Sequence, residues 1–227
     1  MTHLVVVLIS ADAEWRALRS ILPAQTAQPT PFGEWFRKAI NGQEVIFFHG
    51  GWGKIAAAAS TQYSIDRWQP QLLVNLGTCG GFAGEIKRGE VLLVDRTLVY
   101  DIVEQMGDVQ QAVDFYATRL DLSWLGSELP MPVRRGLLVS ADRDLLVEDI
   151  SRLKALYGAA AADWESGAIA WVAARSGVRC LILRAVTDMV SETAGEAYGD
   201  YSLYVQRTGE VMQRLVASLP EWLKLND

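Results

Sequence analysis

The chain has 227 residues, half of them hydrophobic and 21% charged, which fits one globular α/β domain over residues 1–227 and excludes a long disordered tail. Its net charge of −6, with no run of Lys or Arg, excludes a nucleic-acid partner held through phosphates. Two cysteines, Cys79 and Cys180, are too few for a disulfide framework, and no stretch reaches the roughly 20 apolar residues of a membrane span, so a cytoplasmic protein with no membrane partner is expected.

Residues 4–10 are largely β-branched and aliphatic, too short for a signal-peptide core and without its basic flank, so they read as a buried strand. A helix over 13–22 follows, with Trp15, Leu18, Ile21 and Leu22 at helical spacing, and Pro23, Pro29 and Pro31 then break the chain. Strands over 34–40 and 45–49 flank Asn41-Gly42, a dipeptide that favours a two-residue hairpin turn. Gly50-Gly51-Trp52-Gly53 leads into an alanine-rich helix over 54–65, and a buried strand over 72–76 ends in what reads as a glycine loop, Gly77-Thr78-Cys79-Gly80-Gly81. After a strand over 91–100, residues 101–133 read as an irregular excursion whose length points to function or partner contact. A strand over 136–140, helices over 145–157 and 166–176, a strand over 179–186 and a closing helix over 201–223 complete the chain. This alternation predicts a mostly parallel, twisted sheet covered on both faces, with the hairpin as an antiparallel addition.

In open α/β sheets, ligands sit beyond the carboxyl ends of the strands, which singles out residues 12–14, 77–81, 163–165 and 187–188. Only His3 and His49 occur, in different segments, and no Cys or His spacing matches a zinc site, so no metal is expected. Residues 50–54 match neither a dinucleotide fingerprint nor a P-loop, no nucleophile elbow exists, and Cys79 reads as a small residue packed beneath the glycine turn. Acids remain. Glu14 opens the first helix, where it also complements the helix dipole. Asp163 suits a helix N-cap, and Glu165 precedes Ser166-Gly167-Ala168, small residues that let a ligand approach closely. Asp188 stands where the sheet opens. Arg184 lies in an apolar strand, where an unpaired guanidinium is costly, so it is expected to meet a carboxylate, with Glu14 as the candidate.

Four segments in order carry a resemblance: G-G-W-G-K-I-A-A-A-A at 50–59, N-L-G-T-C-G-G at 75–81, D-W-E-S-G-A-I-A at 163–170 and R-A-V-T-D at 184–188. Together the chain resembles the purine nucleoside phosphorylase/uridine phosphorylase superfamily, and within it the methylthioadenosine/S-adenosylhomocysteine nucleosidase branch. The resemblance implies a three-layer α/β/α fold around a mixed, barrel-like twisted sheet, and a homodimer whose partner closes the active site. It also implies a nucleosidase that takes a small-molecule purine nucleoside, modified at the 5′ position, and hydrolyses its N-glycosidic bond to free base and sugar without a cofactor. The alternatives are a phosphorylase, or a non-catalytic nucleoside-binding protein of the same fold.

By position, the resemblance implies that Glu14 activates the attacking water, Glu165 holds the ribose hydroxyls and Asp188 protonates the purine leaving group. It places Thr78 and Gly80 at the ribose and base, Arg184 near the water and Thr187 in support of the acid. Asn75 stands where phosphorylases of the superfamily typically carry an arginine, which favours water as nucleophile. Trp52 is expected near the 5′ group and Trp164 against the sugar, and Asp163 and Leu145 complete the substrate-binding set. Residues 140–145, S-A-D-R-D-L, lack the aromatic residue that stacks on adenine in the nucleosidases, and the bulk of Trp52 and Trp164 is expected to reshape the pocket.

Overall fold

The computed structural model describes residues 4–23, 25–191 and 193–226, and His3 lies outside them. The chain opens with β1 (Val5–Ile9), whose five residues are all buried, as a strand covered on both faces requires. It continues through α1 (Asp12–Ile21), β2 (Gln28–Pro29), β3 (Glu34–Ile40), β4 (Gln43–His49), α2 (Lys54–Trp68), β5 (Leu72–Phe82) and β6 (Val91–Val99). The second half holds α3 (Val109–Phe115), β7 (Thr118–Arg119), β8 (Arg134–Ser140), α4 (Val147–Tyr157), β9 (Ala159–Asp163), α5 (Ser166–Arg175), β10 (Arg179–Val190) and α6 (Tyr201–Lys224). The β3–β4 hairpin turns at Asn41 and Gly42, both at positive φ (50° and 82°), as that dipeptide favours.

The strands are ordered β10-β6-β8-β9-β5-β1-β4-β3-β2, with β7 beside β6, and β10 also pairs with β5. That extra pairing closes β5, β9, β8, β6 and β10 into a barrel, from which β1, β4, β3 and β2 continue as an open sheet. In the surrounding helix layers, α1 packs on α6 and α6 on β5 and β10, while α2 packs on α5 and α5 on β5, β6, β8 and β10. The main core joins Val5, Phe47, Leu73, Leu93, Leu181 and Trp222, and a smaller one gathers Phe82, Val139 and Ile150 beneath α4. Among the described residues no helix is long and apolar enough to cross a membrane.

Several expectations change. Residues 77–81 are not a loop but the second half of β5. β10 runs past Val186 to Val190, with a register shift between Val186 and Asp188, so Thr187 and Asp188 sit inside a bulged strand rather than after one. The sheet is mixed, as the resemblance implies, rather than mostly parallel as the alternation alone predicts, because β9 runs antiparallel to β5 and β10 antiparallel to β6. β9 has no counterpart in the sequence reading: Ala-Ala-Ala-Ala-Asp carries no strand propensity, and only its position between β5 and β8 makes it one. The 101–133 excursion holds the short α3 and β7.

Candidate active site

A cavity of about 950 Å³ opens where β1, β5, β9 and β10 end or bend. Glu14, Thr78, Gly80, Asp163, Glu165, Thr187 and Asp188 all line it, as do Trp52, Trp164 and Leu145. Arg184 lies beneath its floor, 1% exposed. The acids that the sequence keeps far apart thus converge on a single space.

Glu14 is placed by the tight passage from β1 into α1, in the first turn of which it lies. Its Oε2 accepts from the Ala11 N–H at 3.1 Å, and its Oε1 accepts from the Thr78 N–H at 2.6 Å and Thr78 Oγ1 at 2.8 Å. This approach explains Gly77 in the middle of a strand: a Cβ there would lie 2.3 Å from Arg184 Nη1 and 2.7 Å from Glu14 Oε1.

The Arg184 guanidinium is the hub. It lies 3.1 Å from Asp163 and 3.5 Å from each of Glu14 and Glu165. It also donates to Asn75 Oδ1 at 2.8 Å, to Ser166 Oγ at 3.0 Å and to the Thr78 carbonyl at 3.2 Å. Burial disfavours its charge, but Asp163, Glu14 and Glu165 together outweigh that and hold its pKa above the usual value. The expected Glu14 partner is present, and Asp163 is nearer. Asn75 turns its amide nitrogen to the Leu8 carbonyl at 3.0 Å, so both ends of this side chain are engaged.

Asp163 ends β9, and its carboxylate accepts from Ser140 Oγ at 2.6 Å, Ser166 Oγ at 2.5 Å, the Ser166 N–H at 3.1 Å and the Glu165 N–H at 3.2 Å. These bonds tie the start of α5 to β8, although the N-cap position itself belongs to Glu165. Glu165 Oε1 accepts from the Gly53 N–H at 3.1 Å. Gly53 can present that N–H because its φ of 84° suits glycine, and the next N–H, that of Lys54, is fastened to Asp142 Oδ1 at 2.6 Å. Burial, with Asp163 and Glu14 adding to it against Arg184, raises the Glu165 carboxyl to about 8.

Asp188 is raised too, chiefly by burial and against the Thr187 hydroxyl, which donates to its Oδ1 at 2.8 Å. Asp188 sits at the β10 register shift and lines the cavity. Cys79 lies in β5, and burial with the Asp163 charge pushes its thiol well above the ordinary range, which keeps it protonated and unreactive. Among the described residues no set of three His, Cys, Asp or Glu side chains is arranged to hold a metal ion.

The walls are aromatic. Trp52 and Trp164 meet at 5.2 Å with planes 60° apart, the first 59% exposed at the rim. Sequence reasoning missed Tyr198, whose hydroxyl donates to the Leu145 carbonyl, and Tyr204, whose hydroxyl lies 3.4 Å from Thr78 Oγ1. Their one signal was position, beyond the end of β10: Tyr198 precedes α6 and Tyr204 lies in its first turn.

Comparison with known proteins agrees with this architecture. A family model described as the phosphorylase superfamily matches residues 5–219. The 5′-methylthioadenosine/S-adenosylhomocysteine nucleosidase of Halalkalibacterium halodurans is 27% identical over 204 residues, 84% of this chain and 87% of the relative. That of Haemophilus influenzae is 27% identical over 186 residues, 77% and 81% of the two chains. The structure of the nucleosidase of the same name from S. pneumoniae, with a transition-state inhibitor, superposes with a TM-score of 0.79 at 22% identity, covering 99% of this chain and all of the other.

Proposed function

This chain belongs to the phosphorylase superfamily, and from that premise we propose that it is a nucleosidase that hydrolyses the N-glycosidic bond of a purine nucleoside modified at its 5′ carbon. The observation that carries the reading is the convergence of Glu14, Glu165 and Asp188 on one cavity. Departure of a purine leaves positive charge on the ribose and negative charge on the base, so the reaction needs a proton at one end and carboxylates at the other. Asp188, whose carboxyl burial shifts toward the acid form, gives its proton to N7 of the base. Glu165 accepts hydrogen bonds from the ribose hydroxyls. Glu14 takes the proton of the water that attacks the anomeric carbon, a division of labour like that of inverting glycoside hydrolysis. Thr78 and Gly80 border sugar and base, Thr187 orients Asp188, and Trp164, Leu145 and Trp52 wall the sugar, the base and the 5′ group.

The charge balance favours water over phosphate. Arg184, the cation under the reacting centre, is already surrounded by Asp163, Glu14 and Glu165. A phosphate dianion would meet net negative charge there, whereas a cationic ribosyl group is stabilised by it. Incubation of 5′-modified purine nucleosides with and without phosphate tests the reading. Free sugar at a rate independent of phosphate is the expected result, and phosphate-dependent sugar 1-phosphate would make the protein a phosphorylase. The proposal includes a homodimer, supported by the exposed apolar side chains of Trp52 and Ile55, the latter 84% exposed, and checked by sedimentation. It also includes a cytoplasmic setting, supported by two buried free cysteines.

A further inference from the structure

β6 and β8 run parallel with Val99 beside Ser140, so Asp101 and Asp142, two positions further on, leave the sheet as neighbours. The Asp142 N–H donates to Asp101 Oδ2 at 3.0 Å, which keeps the two carboxylates together. Like charges so placed need a cation, and Lys54 supplies it: its Nζ is bonded to Asp101 Oδ1 and lies 3.7 Å from Asp142 Oδ2. Lys54 is also the first residue of α2, whose N-cap, Gly53, has no side chain with which to cap the helix. The free N–H groups of a helix start need acceptors, and here distant carboxylates provide two of them. The Lys54 N–H donates to Asp142 Oδ1 at 2.6 Å, and the Gly53 N–H to Glu165 Oε1 at 3.1 Å.

Among the described residues the Glu165 carboxylate has one other hydrogen-bond partner, Arg184 at 3.5 Å, which is too long to aim it. The Gly53 N–H therefore orients this acid, and it favours the charged form, the one that accepts from hydroxyls. Without the Lys54 charge, Asp101 and Asp142 repel each other and Asp142 is drawn off the Lys54 N–H. The start of α2 is then free to turn about Gly51 and Gly53, both at positive φ (79° and 84°), and the N–H leaves Glu165. We propose that Lys54 is a positioning residue for the sugar site: by pairing with Asp101 and Asp142 it fixes the start of α2 and so keeps the Gly53 N–H on Glu165. Lys54, Asp101 and Asp142 do not line the cavity, so the lysine acts through Glu165 and not on the substrate. This rests on the nucleosidase reading, in which Glu165 accepts from the ribose hydroxyls.

The test pairs 5′-deoxyadenosine with 2′,5′-dideoxyadenosine, and 5′-deoxyinosine with 2′,5′-dideoxyinosine, each pair differing only in the 2′-hydroxyl. The ratio of kcat/KM within a pair does not depend on the folded fraction, and the greater lability of 2′-deoxynucleosides cancels when variant and parent are compared. Lys54→Met should lower the ratio of hydroxylated to deoxy substrate by about tenfold or more, because an acceptor out of place no longer rewards the hydroxyl. Asp101→Asn, which keeps the shape and loses the charge, should move it the same way and decides the matter if Lys54→Met does not fold. A lysine that only supports the fold would lower both rates and leave the ratio unmoved, and that result overturns the proposal. Glu165→Gln separates the two readings: if it lowers the ratio and Lys54→Met does not, the lysine is wrong, and if neither does, the role of Glu165 fails with it. If the parent cleaves none of the four, the nucleosidase reading fails, and the same ratio is taken from Kd values by calorimetry, where an unmoved ratio again overturns the proposal.

Discussion

Asp188 must carry a proton to do its work, and its surroundings shift it that way: burial raises the carboxyl, while the Thr187 hydroxyl and Arg207 only partly oppose it. Activity that needs the acid form is complete at low pH and is lost as pH rises through the raised pKa, so the alkaline limb of a kcat/KM profile should report this group. Asp188→Asn should lower turnover by roughly 10²–10⁴-fold and leave Kd within about threefold. Equal turnover in variant and parent would remove Asp188 as the acid. Glu165 shows the opposite balance of stability and function. It adds a third carboxylate around one buried guanidinium, and Glu165→Gln should stabilise the fold near pH 8, by about 1 kcal/mol or ~2–4 °C in Tm, while ribose binding weakens. A Tm that falls at that pH would mean that Arg184 needs all three acids.

At the scale of elements, the glycines of β5 make a strand where the sequence suggests a loop. Gly-Thr-Cys-Gly-Gly reads as flexible when judged by local propensity, yet Gly77 is required because two charged side chains cross its face. Gly77→Ala should cost about 1–3 kcal/mol by overpacking and displace Glu14 and Arg184 together. Denaturant titration with a parallel turnover assay checks this, and an unaltered variant in both would show that the crossing is loose. β9 makes the complementary point. Its alanines favour helix when read in isolation, but in the barrel they are buried between β5 and β8, and Asp163 at their end fastens α5 through Ser140 and Ser166. Strands with strong β-branched runs, such as β1 and the apolar part of β10, were legible because every position is buried whichever neighbours they find.

At the scale of the molecule, Arg184 joins α1, β5, β9 and α5 through Glu14, Thr78, Asp163, Glu165 and Ser166, at the closure of the barrel. Removing one partner of a buried ionic network leaves the others uncompensated, so Arg184→Met should destabilise the whole fold by about 3–5 kcal/mol. A variant as stable as the parent in urea would reduce the network to a local feature. The raised carboxyls also give stability a pH slope. In the unfolded chain Glu165 ionises near ~4.3, whereas in the fold it does so at about 8. Over that window the folded state binds more protons. This contribution is therefore fully present below the unfolded value and lost as pH rises toward about 8. Urea midpoints taken across this range should fall with pH in the parent and less steeply in Glu165→Gln.

Residue order alone determined the alternating α/β elements, the hairpin at Asn41-Gly42 and which acids to suspect, since hydrophobic period, turn chemistry and a strand's exit are local properties of the chain. The resemblance implied the mixed barrel, but the strands that close it, the strand made of alanines, the partners of Arg184 beyond Glu14 and the tyrosines of the pocket were decided only in three dimensions. A buried charge or a small-residue strand is stable only beside neighbours far away in sequence, and the β5–β10 pairing that brings those neighbours together leaves no mark in any single segment.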